Sequence, residues 1–397
     1  MTRRRFVRNG ALACLSLASP PMLNFGRVEL HAAATVPVST HAVDLVLGNV
    51  VIDMLGLLTL DWAKLFRWQR RAGSFGARDF NGLGLSGVKV FHPAVDTGLT
   101  NPAHVAQLWL AGWDRLLGSQ ICRLARIETA TDLVRIPETG RIGVIVGFQN
   151  SNHFQTVDDV ARSFALGQRV SQLTYNEANK LGSGCYVRRD RGLTRFGGEI
   201  VEAMNDAGMA IDVSHCGERT SLDAIASSRK PVLVTHGNCR ALNPGQPRCK
   251  SDEVLRKMAA KGGVLGISVV RAFVGRTPTL DGLLDHFAHA AKIAGIEHVG
   301  LGSDLDVEGI DPRSGRPHSF YAIQGLDPVA RVFQIADGLL RRGYSDRDVE
   351  LVLGRNFIRA LGESWPQTRS DPRAFEWKRD PFCPASPRVV PPKIARR

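Results

Sequence analysis

Long apolar runs, cysteines and internal repeats are all scarce in this 397-residue sequence. No apolar stretch approaches the roughly 20 residues needed to cross a bilayer, which excludes a helical membrane span. Seven cysteines are too few to staple a chain of this length, so a disulfide scaffold is excluded. The 40 glycines follow no three-residue period, which excludes collagen. No repeat of roughly 20–50 residues stands out, so solenoids and propellers are set aside. Acidic side chains are the minority charge, with 38 Asp+Glu against 51 Lys+Arg and a net +13. No RNP-type or helix-turn-helix pattern accompanies that excess, and it is not read as a nucleic-acid surface. Hydrophobic residues at 44% and charged residues at 22% are ordinary globular values, which excludes wholesale disorder.

Part of the positive charge reads as an address. Thr2-Arg3-Arg4-Arg5-Phe6-Val7-Arg8 precedes an apolar run over 11–18, and Ala32-Ala33-Ala34 offers a small-residue cleavage site. The pattern predicts a twin-arginine signal peptide over 1–34 and a periplasmic or extracellular destination. A single domain is expected over 35–375. A Pro-rich basic tail follows over 376–397.

Beyond residue 43, short apolar, β-branched runs alternate with helical patterns. Strands are predicted over 45–54, 87–92, 142–149, 169–176, 209–215, 232–236, 263–268 and 298–304. Amphipathic helices are predicted over 157–166, 196–207, 219–227 and 280–294. Eight such units match an α/β fold of the (β/α)8 TIM-barrel type better than a doubly wound sheet.

Such a barrel places its chemistry at the C-terminal strand ends. Those ends read Asp53, His92, Gln149, Tyr175 with Asn176, His215, His236, Ser268 and Asp304. Two histidines on consecutive strands and a carboxylate on the eighth suit zinc or a similar divalent ion. In Gly300-Leu301-Gly302-Ser303-Asp304 the alternate glycines predict open space before the carboxylate.

Asp212-Val213-Ser214-His215, Pro231-Val232-Leu233-Val234-Thr235-His236, Pro247-Arg248-Cys249-Lys250-Ser251-Asp252, the stretch from His298 to Asp306, and Gly354-Arg355-Asn356-Phe357 together resemble the membrane (renal) dipeptidases. The resemblance covers roughly 43–363. It implies a (β/α)8 zinc enzyme that hydrolyses dipeptides, often as a homodimer. By motif it implies that His215 and His236 bind one zinc, that Asp304 manages protons, and that Arg248 holds the substrate carboxylate. A bidentate task of that kind suits a guanidinium.

The same resemblance implies ligands that this sequence lacks. Leu55 and Leu57 stand where the family's His-x-Asp pair belongs, Gln149 replaces its bridging glutamate, and Tyr175 replaces a histidine. One zinc rather than a pair is therefore expected. Tyr175 becomes a candidate substrate contact. Asp53, His92, Gln149, Cys216 and Cys239 are the candidates for replacement ligands, with packing or a disulfide the alternative for the thiols, Cys185 and Cys249 included. Gly82-Leu83-Gly84-Leu85-Ser86-Gly87 precedes its strand and is no dinucleotide fingerprint. Asp285, His286 and His289 read as one solvated helical face. Two function classes remain: an exported dipeptidase-like hydrolase, or a barrel that has lost peptidase chemistry and serves in binding or maturation of an exported small molecule.

Overall fold

The computed structural model describes residues 38–368; the expected signal peptide over 1–34 and the basic tail over 376–397 lie outside the described residues. Among the described residues there are ten strands: β1 (Ile52–Asp53), β2 (Val90–Phe91), β3 (Leu124–Arg126), β4 (Ile142–Val144), β5 (Gly147–Phe148), β6 (Val170–Gln172), β7 (Ala210–Asp212), β8 (Val232–Gly237), β9 (Leu265–Ile267) and β10 (Val299–Leu301). Every pairing between them is parallel. β1 pairs with β2 on one side and with β10 on the other. The third barrel position is one chain segment in two pieces, β4 pairing with β2 and β5 with β6. The circuit thus closes as a (β/α)8 barrel, and β3 is an added strand beside β4.

The local sequence explains these elements. Residues such as Val90, Val170, Leu233 and Leu265 are fully buried, as expected for strands covered on both faces. The helix Leu280–Ala294 starts where Thr279 accepts a hydrogen bond from the Gly282 N–H. The helix Arg195–Ala207 ends at Gly208, whose φ of 78° suits a residue without Cβ. Below the barrel, the helix Asn356–Ser364 acts as a plug. Asn356 donates to the carbonyls of Ile296 and Val299 at 2.7 and 2.8 Å, and Phe357 packs so close to Gly300 that a Cβ there would lie 2.4 Å from its ring. The Gly354-Arg355-Asn356-Phe357 motif therefore closes the base.

Two expectations change. The run over 45–54 is mostly not strand: Thr40–Gly48 is a helix, capped by Ser39, and only Ile52–Asp53 is extended. The apolar residues Ala42, Val43 and Val46 form the buried face of that helix. β3 was not anticipated, because three residues ending in Arg126 carry too little pattern. Among the described residues no helix is long and apolar enough to cross a membrane.

Candidate functional site

His215 follows β7 and His236 lies in β8, both buried. Their Nε2 atoms face each other at 3.0 Å. Hydrogen bonds at the other ring nitrogens fix the tautomers. His215 Nδ1 lies 2.7 Å from Asn176 Oδ1, an acceptor, so Nδ1 carries the proton. His236 Nδ1 lies 3.0 Å from Thr235 Oγ1, whose own hydrogen goes to Asp212 Oδ2 at 2.7 Å. That hydroxyl accepts, so His236 is also protonated at Nδ1. Both Nε2 lone pairs are consequently bare and aimed at one point.

The surroundings keep them neutral. Burial, then Arg248, the facing imidazole and Lys250 hold His215 well below the ordinary histidine range. Burial, then Arg248, His92 and Lys250 do the same for His236. Arg248 is buried against the pair. Its Nη1 donates to the Ser214 carbonyl, its Nη2 to the His236 carbonyl at 2.9 Å, and its Nε has no partner among the described residues. Lys250 Nζ donates to the carbonyls of Val213 and Cys216 at 2.7 and 2.8 Å and to Ser221 Oγ at 3.2 Å. Burial holds that ammonium down to about 8.

Asp304 sits just beyond β10 with a φ of 61°, a left-handed conformation that Asp tolerates better than most residues. Its N–H donates to the Leu55 carbonyl at 2.9 Å. Burial pushes its carboxyl up to about 7, partly offset by Arg248 and reinforced by Asp53. The glycines before it do not leave open space. A Cβ at Gly302 would lie 1.9 Å from the Thr235 carbonyl oxygen, so backbone from the other side of β9 fills the gap.

Tyr175 stacks on His215, ring centroids 4.2 Å apart and planes 21° apart. Beside it opens a cavity of about 540 Å³ that Asp304, Gln149, Leu57 and Tyr175 all line. Gln149 Nε2 donates to the Ala94 carbonyl at 3.2 Å. His92 Nδ1 donates to the Met54 carbonyl at 2.7 Å, and its buried Nε2 has no partner among the described residues, packing against Gly147.

Asp53 is fully engaged elsewhere. It accepts from the backbone of Leu55 and Ser303, from Ser303 Oγ, and from Arg331 Nη2 at 3.2 Å. Cys216 accepts from Thr174 Oγ1, and Cys239 donates to the His286 carbonyl on the outer helix. Cys185, Cys216, Cys239 and Cys249 are buried and free, with no disulfide between them. Among the described residues no three His, Cys, Asp or Glu side chains form a group able to hold a metal ion. What the site gathers is two imidazoles, a partial donor set for one ion.

Sequence reasoning did not assign roles to Asp212 and Thr235. Asp212 ties β7 to β8 by accepting from Ser214 and Thr235 backbone and from both hydroxyls. Its signal was present in Asp212-Val213-Ser214-His215, a buried carboxylate three residues before a ligand candidate. His286 is also buried rather than solvated; it donates to the Val274 carbonyl and accepts from Cys239 N–H.

A closed parallel barrel with bare imidazoles, an arginine and a carboxylate at its C-terminal strand ends defines the amidohydrolase-type class. Within that class, the chain belongs to the membrane dipeptidase family (peptidase family M19), whose model matches residues 106–370. It is 31% identical over 243 residues to Dipeptidase verJ of Clonostachys rogersoniana, covering 60% of this chain and 60% of that protein. With Dipeptidase tcpJ of Claviceps purpurea the share of the relative is 55%, so the chain spans little more than half the length of these curated relatives. An amidohydrolase from Pseudomonas aeruginosa superposes with a TM-score of 0.67 at 28% identity, over 82% of this chain and 99% of that one.

Proposed function

We propose that this protein is an exported metal-dependent hydrolase that cleaves the amide bond of dipeptides or similar small substrates. The observation that carries the reading is the convergence of His215 Nε2 and His236 Nε2 beside the Asp304 cavity, in a chain of the M19 family. His215 and His236 would hold a single divalent ion, zinc being the family's metal. When bound, that ion supplies Lewis acidity that polarises a carbonyl and eases deprotonation of water. Asp304 accepts the proton of the attacking water and delivers it to the leaving amine nitrogen, a task suited to a carboxyl raised toward neutrality. Arg248 offers its free Nε–H to the substrate carboxylate. Tyr175 orients His215 and forms one wall of the substrate cavity.

The second reading, a barrel without peptidase activity, draws on Leu55 and Leu57 at the missing ligand positions and on the lack of a three-donor group among the described residues. One assay separates the two. Metal-replete protein is offered a panel of dipeptides and amine release is followed. Turnover well above that of Asp304→Asn supports the hydrolase; turnover equal to it supports the second reading. Export is tested separately by replacing Arg3 and Arg4 with Lys, since a receptor reads those guanidinium groups. Retention of the variant in the cytoplasm is expected, and unchanged delivery would refute the twin-arginine route.

A further inference from the structure

The half of the barrel mouth that lacks family ligands is a chamber with its own chemistry. Its walls are aromatic and apolar: Trp62, Phe66, Trp109, Tyr175, Tyr321 and Leu57. Three of these rings touch. Trp62 meets Trp109 edge-on at 6.2 Å, and Phe66 lies 5.4 Å from Trp109. Trp62 and Phe66 remain 43% and 40% exposed, a notable display of apolar surface at the rim. The charged side chains lining the chamber are Asp96 and Asp304, and both are acidic. A volume of about 540 Å³ lies within the range of small-molecule sites.

Leu57 and Gln149 stand at two of the positions where the family resemblance implies metal ligands, and both line this chamber together with Tyr175. The same departures from the family pattern build an apolar pocket. Tyr175 connects it to the imidazoles by stacking on His215, so a group in the chamber lies one ring away from the reacting centre.

We propose that this chamber receives an aromatic or bulky apolar side chain attached to a free ammonium group, and so selects the N-terminal residue, which supplies the carbonyl of the scissile bond; the assignment to that side rests on the hydrolase reading above. Aromatic faces attract a cation as well as an apolar ring, and two carboxylates favour an ammonium while repelling a carboxylate. The carboxylate end of the substrate must then point away, toward Arg248.

The test uses the full-length chain with one equivalent of zinc and two probes, phenethylamine and 3-phenylpropionate, followed by calorimetry. Phenethylamine should bind at least roughly tenfold more tightly than 3-phenylpropionate, and Trp109→Ala should weaken it roughly tenfold. Trp62→Ala, a substitution at an exposed rim position, should weaken it severalfold and keeps the test intact if Trp109→Ala does not fold. In kinetics, phenylalanyl-alanine should exceed glycyl-alanine in kcat/KM by roughly tenfold or more, and both variants should erode that ratio through KM. Phenethylamine binding that depends on Trp62 or Trp109 without any dipeptide turnover keeps the chamber and defeats the hydrolase reading. Turnover with no preference for the aromatic residue, and no phenethylamine binding, overturns the chamber and leaves the hydrolase reading standing.

Discussion

His215 and His236 point bare Nε2 lone pairs at each other across 3.0 Å, and each is held in that tautomer by a hydrogen bond from its Nδ1. Two lone pairs at that distance repel unless a cation or shared proton lies between them. One tightly bound divalent ion per chain is therefore expected after dialysis, and none in the His215→Ala, His236→Ala double variant. Asn176→Ala, which frees the ring orientation, should weaken metal affinity by about 10–100-fold. Elemental analysis with a competing chelator provides the measurement. Two equivalents surviving dialysis would sink the single-ion reading.

Asp304 should show itself in a pH profile. Its carboxyl is raised to about 7, so the proton-accepting form grows as pH rises through that value. kcat/KM should climb through neutrality and level off above it. Asp304→Asn should remove that limb and lower the rate by roughly 10²–10⁴, with folding and metal content near normal. Asn tolerates the left-handed φ of 61° at this position, which makes the variant a fair probe. A limb near neutrality that persists in Asp304→Asn would assign the proton elsewhere.

Gly302 is a position of close backbone approach. An added Cβ would meet the Thr235 carbonyl at 1.9 Å and the His236 Cα at 3.0 Å. Gly302→Ala should cost about 3 kcal/mol or more, read by urea unfolding. Gly48→Ala serves as the control, because a Cβ there meets nothing within 4 Å and lies in a helix, where alanine is favoured by up to about 1 kcal/mol. Equal stability of the two variants would contradict the packing argument.

Asp53 and Arg331 form a fully buried pair, each side chain 1% exposed. Removing one partner leaves an uncompensated charge in the core. Arg331→Met should destabilise by about 3–5 kcal/mol, and adding Asp53→Leu should recover part of the loss rather than double it. A strictly additive double variant would show that the pair contributes no coupling.

The barrel was legible in the sequence because strands covered on both faces read as apolar runs that stop at a polar residue. His215, His236 and Asp304 were legible for the same reason, as strand-end polar residues after buried ones. The helix Thr40–Gly48 was not, since Leu45, Val46 and Leu47 look extended until the Ser39 cap and its bond to Asp337 are known. The engagement of Asp53 was hidden as well, because its partner Arg331 lies 278 residues away. Glycines before Asp304 are equally consistent with space and with crowding; only the position of the Thr235 carbonyl decides between them.

The pairing of Asp53 on β1 with Leu301 on β10 also sets a clock. At the ribosome's pace of about 5–20 residues per second, the roughly 250 residues from Asp53 to Leu301 emerge over roughly 12–50 seconds. Until then β1 offers a row of unpaired backbone groups, the kind of edge that recruits other chains. The nascent protein spends most of its synthesis as an open sheet, and whatever shields that edge in the cell governs how many molecules reach the closed barrel.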